Sequence, residues 1–361
     1  MLNVLSFARA RAFWSIGLAI SFLFAGLVGS GARAGNTDNA TDNAAVPLNF
    51  TLNVTLAAIW EGEPPSPVNR EALARFRQEF SSTKMIHFIS PAYFSRGARD
   101  SRTRESDRLK LLDLVGKDDI AGIYLNGWKS IIEAAGVSFR NNPTFWGNKL
   151  SPRQCLDDCG REVAMTAYPP ADLRKIIRKS RALFAKNGFG SGTIMQVAGH
   201  AAGPDVLGAA SAEGITHDFS ALAVATLSAR LYRFPLANQL NELWGGVGPL
   251  MRPFELQTGD GTITQMTANG VHVEFMSEEE ITACIDALLG PPAAATRHLY
   301  IGVPMETFAI SLPKLEYTIQ ELFKRSSDGK FPLAWTAEVL PAANANRPKL
   351  SSAKPPQDDA H

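Results

Sequence analysis

Four residues stand out as candidates for moving protons at a site. They are Glu61 in Ile59-Trp60-Glu61-Gly62, Glu306 in Pro304-Met305-Glu306-Thr307, His200 in Gln196-Val197-Ala198-Gly199-His200, and Asp218 in His217-Asp218-Phe219-Ser220. Glu61 and Glu306 could form a carboxyl pair that acts as acid and base on a glycosidic bond. His200 with Asp218 is a second acid–base combination. Glu61, Asp218 and His200 together would make a mixed carboxylate and imidazole metal site. Around them lie groups suited to sugars: aromatic rings at Trp60, Tyr93, Trp128 and Trp146, and amides at Asn126 and Gln196. Each has a plainer alternative. Trp is buried on average, so any of these rings has a place in the core, and rim carboxylates commonly pair with nearby cations.

These residues need elements to bring them together. Phe50, Leu52, Val54 and Leu56 alternate with polar residues, which predicts a half-buried strand. Further strands are predicted at 85–89, 121–125, 194–197, 298–303 and 334–337. Helices are predicted at 68–80, 107–115, 171–187, 204–213, 278–289 and 312–325. The clearest helix is 171–187, with Leu173, Ile176, Ile177, Leu183 and Phe184 on one side and Gly188 as its stop. Repeated strand–helix units imply an α/β fold with a mainly parallel sheet. About seven units imply a distorted (β/α) barrel of about seven parallel strands, with a doubly wound open sheet as the alternative. In a barrel the loops at the C-terminal strand ends carry function, and all the residues above except Trp146 fall on such ends. The segment 217–220 is read as one of these loops. The sequence has no Walker loop, no G-x-S-x-G elbow and no H-E-x-x-H. Its glycine run at 188–192 follows a helix, so it is read as a linker.

The order of segments resembles the polysaccharide deacetylases of the NodB-homology type. The resemblance spans most of 50–337. It rests on Ile59-Trp60-Glu61-Gly62, on Leu125-Asn126-Gly127-Trp128-Lys129-Ser130, on Met195 to His200 with Gly203-Pro204 after it, on Asp218-Phe219-Ser220, and on Tyr300-Ile301-Gly302-Val303-Pro304. It implies a distorted barrel in which a divalent metal activates water against an acetyl group. That metal is held by one Asp and by two His spaced four apart, while a second Asp acts as base and a late His as acid. Carried over position by position, the paired-Asp slot reads Trp60-Glu61 and the two His slots read Asn126 and Ser130. The Arg of the middle motif reads Gln196, and the late His reads Pro304. Zinc prefers His, Cys and carboxylate, so the metal ligands are largely absent and no cofactor is expected. The expectation is a deacetylase-like scaffold without metal-dependent deacetylase activity, serving as a glycan-binding or accessory module. In that reading Trp60, Tyr93, Asn126, Trp128, Gln196 and His200 contact a polysaccharide or cell-wall glycan. An active hydrolase, using Glu61 and Glu306 or a rearranged metal site, is the alternative.

Arg9 and Arg11 precede an apolar run at 13–28, and Ala32-Arg33-Ala34 gives a small-x-small pattern. Residues 1–34 therefore read as a signal peptide, 35–48 as a flexible leader, 49–340 as the barrel and 341–361 as a disordered tail. The expected location is the periplasm or outside the cell, with no membrane span after cleavage. With 36 basic against 35 acidic residues, the chain lacks the basic excess that a nucleic-acid partner would want. Cys155 and Cys159 could close a small loop, with a metal site as the alternative reading. Cys284 is expected to be a buried thiol.

Overall fold

The computed structural model describes residues 50–95, 101–155, 158–226, 235–290, 296–329 and 331–337. The segments read as signal peptide, leader and C-terminal tail lie outside them. In chain order the elements are β1 Thr51–Trp60, α1 Pro67–Glu79, β2 Met85–Ile89, α2 Ala92–Ser95, α3 Ser101–Leu114, β3 Ile120–Leu125, α4 Lys129–Ala134, α5 Pro170–Lys186, β4 Ile194–Val197, α6 Pro204–Ala212, β5 His217–Leu222, α7 Pro235–Trp244, β6 Phe254–Thr258, β7 Gly261–Ala268, β8 Val271–His272, α8 Glu278–Leu289, β9 Thr296–Pro304, α9 Phe308–Gly329 and β10 Leu333–Trp335.

The sheet order is β6-β7-β5-β4-β3-β2-β1-β9-β8. Every pairing is parallel except the β6–β7 hairpin. β10 adds to β1 at Leu52–Val54, below the stretch that pairs with β2. No ladder joins β7 to β8, yet they are one run of chain broken only by Asn269-Gly270. The strand that leaves β5 as β7 therefore arrives at β9 as β8, and the sheet curls back on itself. Asn269 ties this seam, its Nδ2 donating to the carbonyls of His298 and Pro249, each at 2.8 Å.

β1 carries the expected alternation at its start but is buried on both faces from Val54 to Ala58, as a parallel strand covered by helices must be. Local signals set the helix ends. Ser66 caps α1 through its side chain, and Pro67 follows at the first helical position. In α8, Ser277 and Glu280 form a capping box. α5 buries Leu173, Ile176, Ile177 and Phe184 against the sheet. Each buried side chain of this size stabilises by about 1.5–3 kcal/mol.

The structure differs from the sequence reading in two places. Residues 217–220 belong to strand β5. The hairpin β6–β7 and the helix α7 were not expected. The cysteines follow the expectation: Cys155 and Cys159 are joined in a disulfide rather than a metal site, and Cys284 is a free, buried thiol on α8.

Candidate functional site

β1 and β9 run side by side, with Ile59 opposite Pro304, so Glu61 and Glu306 follow at the same height at the C-terminal mouth. Glu306 Oε1 accepts from the Glu61 N–H at 2.7 Å, the Gly62 N–H at 3.3 Å and the Tyr93 hydroxyl at 3.2 Å. Its own carbonyl accepts from Asn69 Nδ2 at 2.7 Å, while Asn69 Oδ1 accepts from the Ala309 N–H, so α1 and α9 both hold this turn. Oε2 of Glu306 is buried and has no hydrogen-bond partner. Burial, reinforced by the Glu61 carboxylate, pushes the Glu306 carboxyl up to about 8, so it keeps its proton at neutral pH. Burial also raises Glu61, but Arg161 at 3.6 Å and the Tyr124 hydroxyl favour its charged form. Glu306 is thus the carboxyl of the pair that keeps a proton at neutral pH, the state a general acid needs.

The segment that the resemblance assigns to metal binding is occupied with other work. Asn126 Nδ2 and Trp128 Nε1 both donate to the Glu61 carbonyl, at 2.7 and 2.6 Å. Asn126 Oδ1 accepts from Ser90 Oγ at 2.8 Å. Ser130 Oγ lies 3.1 Å from Ser95 Oγ. A divalent metal does not fit this donor set. Asn126 spends both ends of its amide on the scaffold, and a serine hydroxyl is a poor ligand for zinc. Among the described residues, no group of three or more His, Cys, Asp or Glu could hold a metal ion, so Glu61, Asp218 and His200 are not brought together.

Three of the aromatics read as sugar platforms belong to the core. Trp60 is 1 % exposed, Tyr93 1 % and Trp128 4 %, leaving no face for a ring to stack on. Trp60 Nε1 donates to His87 Nδ1 at 3.0 Å, and His87 Nε2 meets Asp119 Oδ2 at 3.1 Å. Asp119 also pairs with Arg77 of α1. This chain of contacts fixes Trp60 on the helix side of the sheet. The Tyr93 hydroxyl also bonds the Glu63 carbonyl. Trp146, at 41 %, stays accessible.

On the opposite wall, Gln196 Oε1 accepts from the Tyr300 hydroxyl at 3.1 Å, and Gln196 Nε2 lies 3.4 Å from His200 Nε2. His200 has φ +58° directly after Gly199 at +61°, a conformation that costs a non-glycine residue energy and that gathers at functional sites. Trp244 Nε1 holds the turn by donating to the His200 carbonyl at 2.7 Å. The His200 ring meets His272 edge-on at 5.2 Å, and His272 lies 5.5 Å from Tyr300. Burial pushes His200 down to about 3, helped by His272, and His272 down to about 4, so both imidazoles are neutral.

Asp218 does not pair with His200. It is fully buried, its Oδ1 accepting from Ser220 Oγ at 2.7 Å and its Oδ2 from the Ser220 N–H at 3.2 Å. Ser220 Oγ in turn accepts from the Val197 N–H. Asp218 and Ser220 share the face of β5 opposite Phe219, whose ring packs on Phe88 at 5.1 Å. Burial pushes Asp218 up to about 7. This is a structural bracket between β4 and β5.

Sequence reasoning missed Tyr124, Tyr300 and His272. His272 ends an alternating run that begins at Thr262, and reading that run as a strand would have placed it at the rim.

No protein-family model matches the chain, and no curated protein matches it in sequence. Among solved structures it is similar to a family 4 carbohydrate esterase from Streptomyces lividans, at 10% identity and TM-score 0.37, covering 80% of this chain and 92% of that one. It is similar to a protein from Mycobacterium smegmatis assigned to the polysaccharide deacetylases, at 10% identity and TM-score 0.43, covering 85% and 99%. It is also similar to the 4-alpha-glucanotransferase from Thermococcus litoralis, at 11% identity and TM-score 0.40, covering 80% of this chain and 39% of that one. The fold assignment rests on the strand order and not on these scores.

Proposed function

We propose that this chain binds a polysaccharide at the C-terminal mouth of its barrel, without the metal chemistry of the deacetylases its sequence resembles. The observation that carries this reading is Asn126. At a position where that resemblance places a histidine ligand, its amide spends Nδ2 on the Glu61 carbonyl and Oδ1 on Ser90. Export to the periplasm or beyond belongs to the same proposal and rests on the N-terminal sequence pattern alone. The test is co-sedimentation with isolated cell-wall polysaccharide, run beside an acetate-release assay on acetylated glycans. Binding without acetate release is expected. Acetate release that a chelator abolishes would sink the reading.

A second reading is favoured by the raised Glu306 carboxyl standing beside Glu61 at the ends of β9 and β1. Glu306 would protonate the leaving oxygen of a glycosidic bond, and Glu61 would act as the base or nucleophile. If the chain hydrolyses a glycan this way, Glu61→Gln and Glu306→Gln each lower kcat at least a hundredfold. Unchanged turnover in either variant would exclude that role.

A further inference from the structure

Several elements hold the polar groups of Glu61. Its N–H donates to Glu306, its carbonyl accepts from Asn126 and Trp128, and its Oε2 lies 3.6 Å from Arg161 Nη1. Arg161 comes from outside the strands. It sits on the tight turn from Gly160 to Val163, where the Val163 N–H donates to the Gly160 carbonyl at 2.9 Å. On one side of this turn the Lys129 N–H donates to the Cys159 carbonyl at 2.7 Å. On the other, the Phe145 N–H donates to the Glu162 carbonyl at 2.9 Å, and Thr144 bridges Val163. Gly160, with φ +96°, abuts the loop that carries Asn126 and Trp128. A Cβ there would lie 2.5 Å from the Gly127 carbonyl oxygen. The Cys155–Cys159 disulfide fastens the chain immediately before the turn. Cys155 is half-buried and Cys159 buried, so a thiol from solvent reaches the Cys155 sulfur first. Among the described residues the cation set against the Glu61 carboxyl is Arg161. Glu63, Glu162, Glu274 and Glu306 lie around it, and the Tyr124 hydroxyl bonds it.

We infer that the Cys155–Cys159 bond is a redox-sensitive tether that keeps Arg161 on Glu61, so that reducing the bond releases Arg161 from the carboxyl. Control of binding at the mouth by this route rests on the proposed glycan site. A dithiol supplies the electrons. Its thiolate attacks Cys155 Sγ, Cys159 leaves as a thiolate, and the second thiol displaces Cys155 from the mixed disulfide. The dithiol ends as a disulfide, and its two protons end on Cys155 and Cys159. Without the cross-link the chain before the turn regains conformational freedom. A partly exposed ion pair is worth little and depends on its backbone being fixed.

The experiment is a carbon-13 NMR titration of the Glu61 carboxyl in the full chain, oxidised and after dithiothreitol. The signal is assigned by its loss in Glu61→Gln, and alkylation with mass spectrometry verifies that Cys155 and Cys159 are reduced. Reduction is expected to raise the titration midpoint by about 0.5 pH units, since a nearby cation favours the charged carboxyl. Arg161→Ala, at an exposed side chain, should show the raised midpoint when oxidised and no response to the reductant. Arg161→Lys should restore most of the response. A reduced parent with the oxidised midpoint would overturn the tether, as would an Arg161→Ala chain that still responds in full. An oxidised Arg161→Ala chain with the parent midpoint would overturn it even where the reduced chain unfolds. In co-sedimentation with cell-wall polysaccharide, the reduced parent is expected to bind about threefold more weakly. Equal binding by both forms would strike control of the mouth. Because the titration uses no glycan, absence of binding by either form would end the glycan reading alone.

Discussion

Glu306 and Asp218 are carboxyls whose folded-state pKa lies above the ordinary value, at about 8 and about 7. Between the ordinary and the raised value the folded state binds more protons than the unfolded chain, so their contribution to stability falls as pH rises. His200, His272 and His298 do the reverse. Burial lowers all three, to about 3, 4 and 4, so they cost stability as pH falls below about 6.5. The two sets oppose each other in mild acid, and only the carboxyls act above it. The urea midpoint is therefore expected to fall from pH 6.5 to pH 8, and Glu306→Gln should flatten the upper part of that decline. A midpoint that rises across this window would contradict the burial of both groups. On the helix side of β1, Asp119 is held well below the usual carboxylate range by His87 and Arg77, against the opposing effect of its own burial. Asp119→Ala leaves His87 and the Trp60 indole without their anchor, and urea unfolding should show a loss of about 3–5 kcal/mol.

The short helix α4 is where an element and a covalent bond meet. The Lys129 N–H donates to the Cys159 carbonyl at 2.7 Å, and Asp158 Oδ1 accepts from the Ser130 and Cys159 N–H groups, each at 3.0 Å. The Cys155–Cys159 bond thus braces the loop that caps α4. Closing so small a loop is worth about 2 kcal/mol by the chain-entropy relation. A thiol reductant should lower Tm by several degrees in the parent and leave Cys155→Ser/Cys159→Ser unmoved. Much at this scale was legible beforehand. Helices α5 and α8 declare themselves through apolar spacing and end signals, and the strands at 85–89 and 194–197 read correctly. β5 was misread because Asp218 and Ser220 are polar residues that bond each other inside the protein, and hydropathy cannot distinguish a satisfied buried carboxylate from a loop residue. The β6–β7 hairpin was in view: Phe254 and Leu256 alternate with Glu255 and Gln257, and Gly259-Asp260 makes the turn. It was missed because a strand–helix rhythm was being followed. Glu61, Glu306, Gln196 and His200 were expected at strand ends, and they lie at or just past the ends of β1, β9 and β4. The division of aromatics into core and surface was not foreseen, because the indole N–H partners of Trp60 and Trp128 lie far away in sequence.

For the molecule as a whole, the strand order makes one curled, mainly parallel sheet with the candidate site gathered at its C-terminal end. Glu61, Ser90, Asn126, His200, His272 and Glu306 come from six successive strand ends and meet only because the sheet curls. The curl depends on the seam at Asn269-Gly270. A Cβ on Gly270 would lie 2.1 Å from the Tyr300 carbonyl oxygen, so no side chain fits there unless β8 moves away from β9. Gly270→Ala should lower the urea midpoint and weaken ligand binding together, since His272 rides on the displaced segment; stability lost with binding intact would uncouple the two. A hoop fastened by a single clasp comes undone at the clasp. Under native conditions the amides of Val271 and Leu299 to Ile301 should exchange hydrogen for deuterium sooner than those of β2 and β3, so that local opening starts at this seam while the rest of the sheet stays whole.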